Sequence, residues 1–324
     1  MIWPASRASR IGNPSHLASV LHKASLGLQL RLNAMADSLA QGDNPSSVLG
    51  RGVEFSGVRE YQPGDEARGI DWRVTARRGR LFVKEFSQER ELPVLVILNQ
   101  TPSLRAGRGD VKAIRALEAS ALLAAIGLRA GDRVGLLISG IGDDRIVRPG
   151  NGRTQLPRIL SELMAPPSME LPKPLREGLS KARFLLHQRA RVFLIGDFQL
   201  PLSDLPDLGK GLEALGARHV LIPVRVRDSR EGALPAGGSL LLRDPISGEL
   251  KTYRGPDSAQ ELRSLLEERE QETSALFRRI GLEEWTLDVN EPLLEGIRRH
   301  LFQSRIRVMH PASGGAPKGV SSSA

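Results

Sequence analysis

From Leu92 onward, short apolar runs alternate with longer stretches of helical periodicity, a rhythm that predicts an α/β fold with a mainly parallel sheet and helices on both faces. Leu92–Leu98, with Val94, Val96 and Ile97, is apolar throughout and predicts a central strand covered on both sides. Further strands are predicted over 133–139, 145–148, 192–196, 219–226 and 284–289. Helices are predicted over 110–128, 154–164, a stretch ending near His187, 205–215 and 257–280. The first of these is apolar around most of its circumference, so it belongs deep in the core. A last helix is expected after 284–289, with Asn290 as its N-cap and Pro292 in its first turn.

Three stretches fall outside this rhythm. Residues 15–41 carry Leu17, Val20, Leu21, Ala24, Leu28, Met35 and Leu39 at helical spacing, which predicts one amphipathic helix packed on the rest of the protein. Residues 228–256 contain two turn signals around strand-like Ser239–Arg243 and Glu249–Tyr253, which predicts an inserted β-hairpin. Strands are also expected near 53–61 and 81–86, pairing with that hairpin in a small β elaboration. The resulting division is a flexible N-terminus at 1–16, an N-terminal helix and β segment at 17–91, the α/β domain at 92–308 and a Gly-, Ser- and Pro-rich tail at 309–324.

Composition narrows the function classes. The 324 residues include no cysteine, which removes disulfides, thiolate metal sites and cysteine nucleophiles and suits a reducing, cytoplasmic setting. No apolar run approaches the ~20 residues of a membrane-spanning helix, and the first residues lack the apolar centre of a signal peptide. The net charge of +9 keeps open a nucleic-acid-binding reading. Against it, the basic stretches are interleaved with acids, as at Lys84–Glu91, and two Tyr and eight Phe leave little to stack on bases.

Enzyme signatures are missing. The six histidines are scattered without ligand spacing, and neither a nucleophile elbow nor a phosphate loop is present, so no catalytic residue is expected. Gly150-Asn151-Gly152 is expected to be a turn, and Asp143-Asp144 to be solvated acids at a hairpin tip.

Two features stand above this background. One is the block Arg51–Arg80, in which Gln62-Pro63-Gly64-Asp65 suits a tight turn and both charge signs crowd together. It reads either as Arg–carboxylate forks holding an irregular loop or as an exposed recognition surface. On the first reading, Asp71 neutralises a buried Arg. The other is the loop Asn99-Gln100-Thr101-Pro102-Ser103 after the first central strand. If the strands run in the order 3-2-1-4-5-6, it faces the loop beginning at Asp197 across the crevice where doubly wound sheets bind ligands.

The signature block also carries a family resemblance. Arg59, Glu60, Tyr61, Pro63, Gly64, Asp65, Glu66, Arg68, Ile70, Asp71, Trp72 and Arg77 stand in the spacing R-E-Y-x-P-G-D-E-x-R-x-I-D-W-x-x-T-A-R, which resembles domain-of-unknown-function family 58 (DUF 58). Gly196-Asp197-Phe198, Arg227-Asp228-Ser229-Arg230-Glu231 and Asn290-Glu291-Pro292-Leu293-Leu294 are similar to later parts of that family, and the likeness runs from about 17 to 308.

The resemblance implies a von Willebrand factor A-like core and a non-enzymatic, chaperone-like adaptor. Its implied partner is a MoxR-type AAA+ ATPase, and its implied work is maturation or assembly of other proteins, with the signature residues as the contact surface. A domains often hold Mg²⁺ in a metal-ion-dependent adhesion site. Carried over, its positions fall on Asn99, Thr101, Ser103 and Asp197, with Lys173 near the place of a threonine. An Asn in place of an Asp leaves one carboxylate, a weak set for Mg²⁺, so the site is expected to be degenerate and no cofactor is expected. Lys173 is expected either to pair with Asp197 in the cation's place or to point into solvent.

Overall fold

The computed structural model describes residues 34–35, 53–63, 65–66, 69–88, 92–105, 110–165, 172–231, 239–243 and 249–309. Of the helix expected at 15–41, only Ala34 and Met35 lie within these, and both are helical. The lead-in at 1–16, expected to be flexible, and the tail from 310 lie outside them.

Two strands, β1 (Val53–Glu60) and β2 (Phe82–Gln88), form an antiparallel pair, and helix α1 (Trp72–Arg78) lies between them in the chain. The main sheet follows. Its strands are β3 (Val94–Asn99), β4 (Val134–Ser139), β5 (Arg145–Gly150), β6 (Arg191–Gly196), β7 (Val220–Arg227) and β10 (Trp285–Asp288), in spatial order β10-β7-β6-β3-β4-β5. All neighbours are parallel except β5, which returns antiparallel along β4. Counted from β3, this is the 3-2-1-4-5-6 order. The predicted central strand is indeed internal, and the order reverses between β3 and β6.

Every residue of β3 and β4 is buried, which explains the lack of polar alternation in their sequences. Val94, Val96 and Leu98 face a core shared with helices α2 (Val111–Arg129), α3 (Gln155–Met164) and α7 (Leu293–Met309). Leu95 and Ile97 face the opposite core, with α4 (Leu175–Leu185), α5 (Leu205–Gly216) and the end of α6 (Gly255–Arg279). Each such side chain contributes roughly 1.5–3 kcal/mol of burial. Helix α2 is the deepest, with Ala116 and Ala119 through Gly127 all buried, and its small residues let it lie close to the strands. A Cβ at Gly127 would come within 2.9 Å of Val134.

Three expectations need correction. The inserted hairpin forms as β8 (Ser239–Arg243) and β9 (Leu250–Arg254), but it is a two-stranded sheet of its own and makes no ladder with β1 and β2. Each of the two pairs ladders only within itself. Asn290 is not an N-cap. Its carboxamide donates to Asp288 at 2.8 Å and Ser229 at 3.0 Å, tying two loops together, and α7 begins beyond Pro292. Finally, Asp143 is exposed but Asp144 is buried against Lys181, whose pKa rises because of that carboxylate. Gly152 has φ +91°, so the glycine pair there is a turn as expected. No helix among the described residues is long and apolar enough to cross a membrane.

Candidate functional site

The signature block folds as a clamp with an exposed side. Arg59 donates to both oxygens of Asp65 at 2.7 Å, a bidentate fork across the turn, and Asp65 also accepts from the backbone of Gln62 at 2.9 Å. These donors hold the Asp65 pKa down at about 2. The turn closes with Asp65 N–H donating to Gln62 O at 3.0 Å. Glu60 and Arg80 pair at 3.0 Å but stand in solvent, where such a bridge adds little. Pro63 is exposed and Tyr61 half-buried, while Gly64 and Arg68 lie outside the described residues.

Among the described residues, Asp71 bonds no arginine side chain. Its carboxylate caps α1 by accepting from Arg73 N–H at 3.0 Å and Val74 N–H at 3.2 Å, because a helix N-terminus leaves its first N–H groups unpaired. Asp71→Ala is therefore expected to cost about 1 kcal/mol, the ordinary value of a lost cap, rather than that of a broken buried pair. Asp71→Ser should restore most of it in urea denaturation. Val74 and Thr75 are half-buried, Thr75 Oγ1 accepting from Phe82 N–H at 3.0 Å, and the other side chains of α1 are exposed. Trp72 is 67% exposed, and Arg73, Arg77 and Arg80 are exposed as well.

The crevice is built at the carboxyl ends of β3 and β6. A short 3-10 turn, Pro102–Arg105, carries Ser103 back toward the sheet. Thr101 Oγ1 and Ser103 Oγ lie 2.8 Å apart and donate to the same oxygen, Asp197 Oδ1, at 3.1 and 3.0 Å. Three of the four positions singled out in the sequence thus meet. The fourth, Asn99, is buried beside them, but neither its Oδ1 nor its Nδ2 bonds a described residue. It lines a cleft of about 350 Å³ with Thr101, Pro102, Lys173, Leu200 and Pro201.

The other oxygen of Asp197 meets a side chain that sequence reasoning missed. Lys112, in the first turn of α2 and 1% exposed, donates to Asp197 Oδ2 at 3.3 Å and to Glu231 Oε1 and Oε2 at 2.7 and 2.8 Å. Lys173 does not reach Asp197. Its ammonium sits 3.7 Å from Asp143, while its backbone N–H is pinned to Gly140 O at 2.7 Å. The ammonium expected in the crevice is there, but it comes from α2. One signal for it was present: Lys112 opens a helix whose following face is almost entirely Ala and Leu. Glu231 stood within a family-like segment that gave it no role. Burial pushes the Glu231 carboxyl above the ordinary range, an effect that Lys112 partly offsets.

A second buried cation braces the Asp197 loop. Arg225, 1% exposed on β7, donates through Nε to Glu284 and through Nη1 to the backbone oxygen of Asp197 at 3.1 Å. Its guanidinium lies 5.4 Å over the ring of Phe198, which holds a left-handed φ of +52°. Asp110, two residues before Lys112, has φ +54°. Among the described residues these are the two non-glycine positions with positive φ, one next to Asp197 and the other two residues before Lys112.

The donor set does not fit Mg²⁺. That ion demands oxygens at about 2.0–2.1 Å in octahedral order. Here an ammonium already takes one oxygen of Asp197 and both of Glu231, and a divalent cation beside it would be repelled. Among the described residues, no group of three or more His, Asp or Glu side chains is arranged to hold a metal.

Comparison with known proteins agrees with the signature. A family model described as "Protein of unknown function DUF58" matches residues 57–275, a narrower span than the motif likeness suggested. Uncharacterized protein Rv1480 of Mycobacterium tuberculosis is 29% identical over 231 residues, covering 70% of this chain and 71% of that protein. Uncharacterized protein YeaD of Bacillus subtilis is 39% identical over 46 residues, 14% of this chain and 12% of its own. Among solved structures, the SpRpn10 VWA domain is 11% identical with a TM-score of 0.38, covering 64% of this chain and 94% of that one. The von Willebrand factor type A protein from Catenulispora acidiphila is 13% identical with a TM-score of 0.37, covering 69% and 44%.

Proposed function

The chain belongs to the DUF58 family, and we propose that it is a non-enzymatic interaction protein that docks a MoxR-type AAA+ ATPase in the maturation or assembly of other proteins. The observation that carries this reading is Trp72. An indole 67% exposed on a capped helix that also exposes Arg73 and Arg77, with Arg80 exposed just beyond it, combines the two residue types that dominate protein interfaces. The Arg59–Asp65 fork and the Asp71 cap consume the local charges that serve structure, so the patch is presented on a preorganised support.

The reading as a non-enzyme draws on the crevice. Its hydroxyls, carboxylates and ammonium bond one another, and among the described residues no histidine is bonded to them.

Titration of the purified chain with a MoxR-type ATPase from the same organism, with and without ATP, tests the proposal. Trp72→Ala with Arg77→Ala is expected to weaken association at least tenfold, about 1.4 kcal/mol, while leaving the melting temperature nearly unchanged. Unaltered affinity in that variant would remove the patch from the interface. Binding to nucleic acid through the net charge would instead show itself as an affinity that collapses with added salt.

A further inference from the structure

We infer that Lys112 is the built-in cation of the crevice, and that removing its ammonium would turn the crevice into a divalent-metal site. Four oxygen-bearing side chains converge there. Thr101 and Ser103 meet one oxygen of Asp197, and Lys112 bridges its other oxygen to Glu231. The ammonium itself meets three carboxylate oxygens, Asp197 Oδ2 and both of Glu231, and with it gone these are hard donors of the kind Mg²⁺ or Mn²⁺ takes. Lys112 and Asp197 are 1% and 2% exposed, so the ammonium cannot be supplied by solvent or exchanged for a dissolved ion without moving α2.

The arrangement has a charge logic. Two carboxylates drawn together out of water repel each other, and some cation must sit between them. A metal ion would come and go with its concentration, whereas a lysine is permanent. The crevice is therefore held in one charge state whatever the surrounding metal level. Any recognition by this end of the sheet is indifferent to chelators. That conclusion does not rest on the ATPase proposal, because it concerns the crevice alone.

Lys112→Ala separates the alternatives. Calorimetry and thermal melting of the unaltered protein with millimolar Mn²⁺ or Mg²⁺ should give no saturable heat, and EDTA should not shift its melting. Lys112→Ala should melt several degrees lower, and Mn²⁺ should raise its melting saturably. Adding Asp197→Asn to Lys112→Ala should abolish that response. If Lys112→Ala is unfolded without metal, refolding on addition of Mn²⁺ supports the assignment and failure to refold overturns it. A Lys112→Ala protein that melts like the parent, or one indifferent to Mn²⁺, would also overturn it. So would saturable Mn²⁺ binding by the unaltered chain that disappears in Asp197→Asn.

Discussion

Arg225→Met is expected to lower stability by about 3–5 kcal/mol, the scale of a buried ion pair that loses one partner. Arg225 is almost fully enclosed, and its charge is answered by Glu284, which also accepts from Ser274 at 2.7 Å. Methionine keeps much of the volume but strands the carboxylate in a poorly hydrated place. It also removes the donor to the Asp197 backbone, which helps to hold Phe198 in its left-handed conformation. Urea denaturation monitored by circular dichroism gives the difference directly. Replacing both partners, as Arg225→Met with Glu284→Leu, should recover a large part of the loss, since no charge is then left alone. A single variant within 1 kcal/mol of the parent (roughly the worth of one ordinary hydrogen bond) would mean that the pair is hydrated and does not brace the crevice.

Gly140→Ala is expected to be nearly as damaging, at about 2–5 kcal/mol, because strain and overlap act together. Gly140 ends the β4 side of the crevice with φ +109°, a conformation that L side chains rarely adopt. A Cβ there would fall 2.2 Å from the carbonyl oxygen of Gln100 and 2.8 Å from Asn99 Oδ1. Relief requires the loop after β3 to move, and Thr101 and Ser103 move with it. Gly79 provides the comparison. It also has a positive φ, +68°, but no atom lies within 4 Å of its Cβ position. Gly79→Ala should therefore cost only about 1–2 kcal/mol, the left-handed strain by itself. Equal losses in the two variants would show that the crevice yields to the added methyl group and is not tightly built.

The main sheet was legible because fully buried parallel strands have an unmistakable composition. Val94–Leu98 has no charged or polar residue to compromise with, and the helices between strands repeat at their own period. Even the crevice was legible in outline, since strand order alone places the ends of β3 and β6 beside each other. Small polar side chains at Thr101, Ser103 and Asp197 stood out against the apolar runs that lead into them.

Identifying the cation was a different kind of problem. Lys112 and Lys173 are both lysines near helix starts, and the Ala- and Leu-rich stretch after Lys112 signals a buried helix without saying which carboxylates its ammonium meets. Asp71 and Asn290 show the same limit on a smaller scale. An acid beside several arginines reads as an ion pair, and an Asn before a proline reads as a cap, until the backbone decides which donors are close. Local pattern thus determined the elements, their order and the family-like signature, because hydrophobic periodicity and turn chemistry act over a few neighbouring residues. Only the tertiary structure decided that Lys112 meets Asp197 and Glu231, across 85 and 119 residues of chain, because side-chain pairing over such separations depends on how helices dock on the sheet.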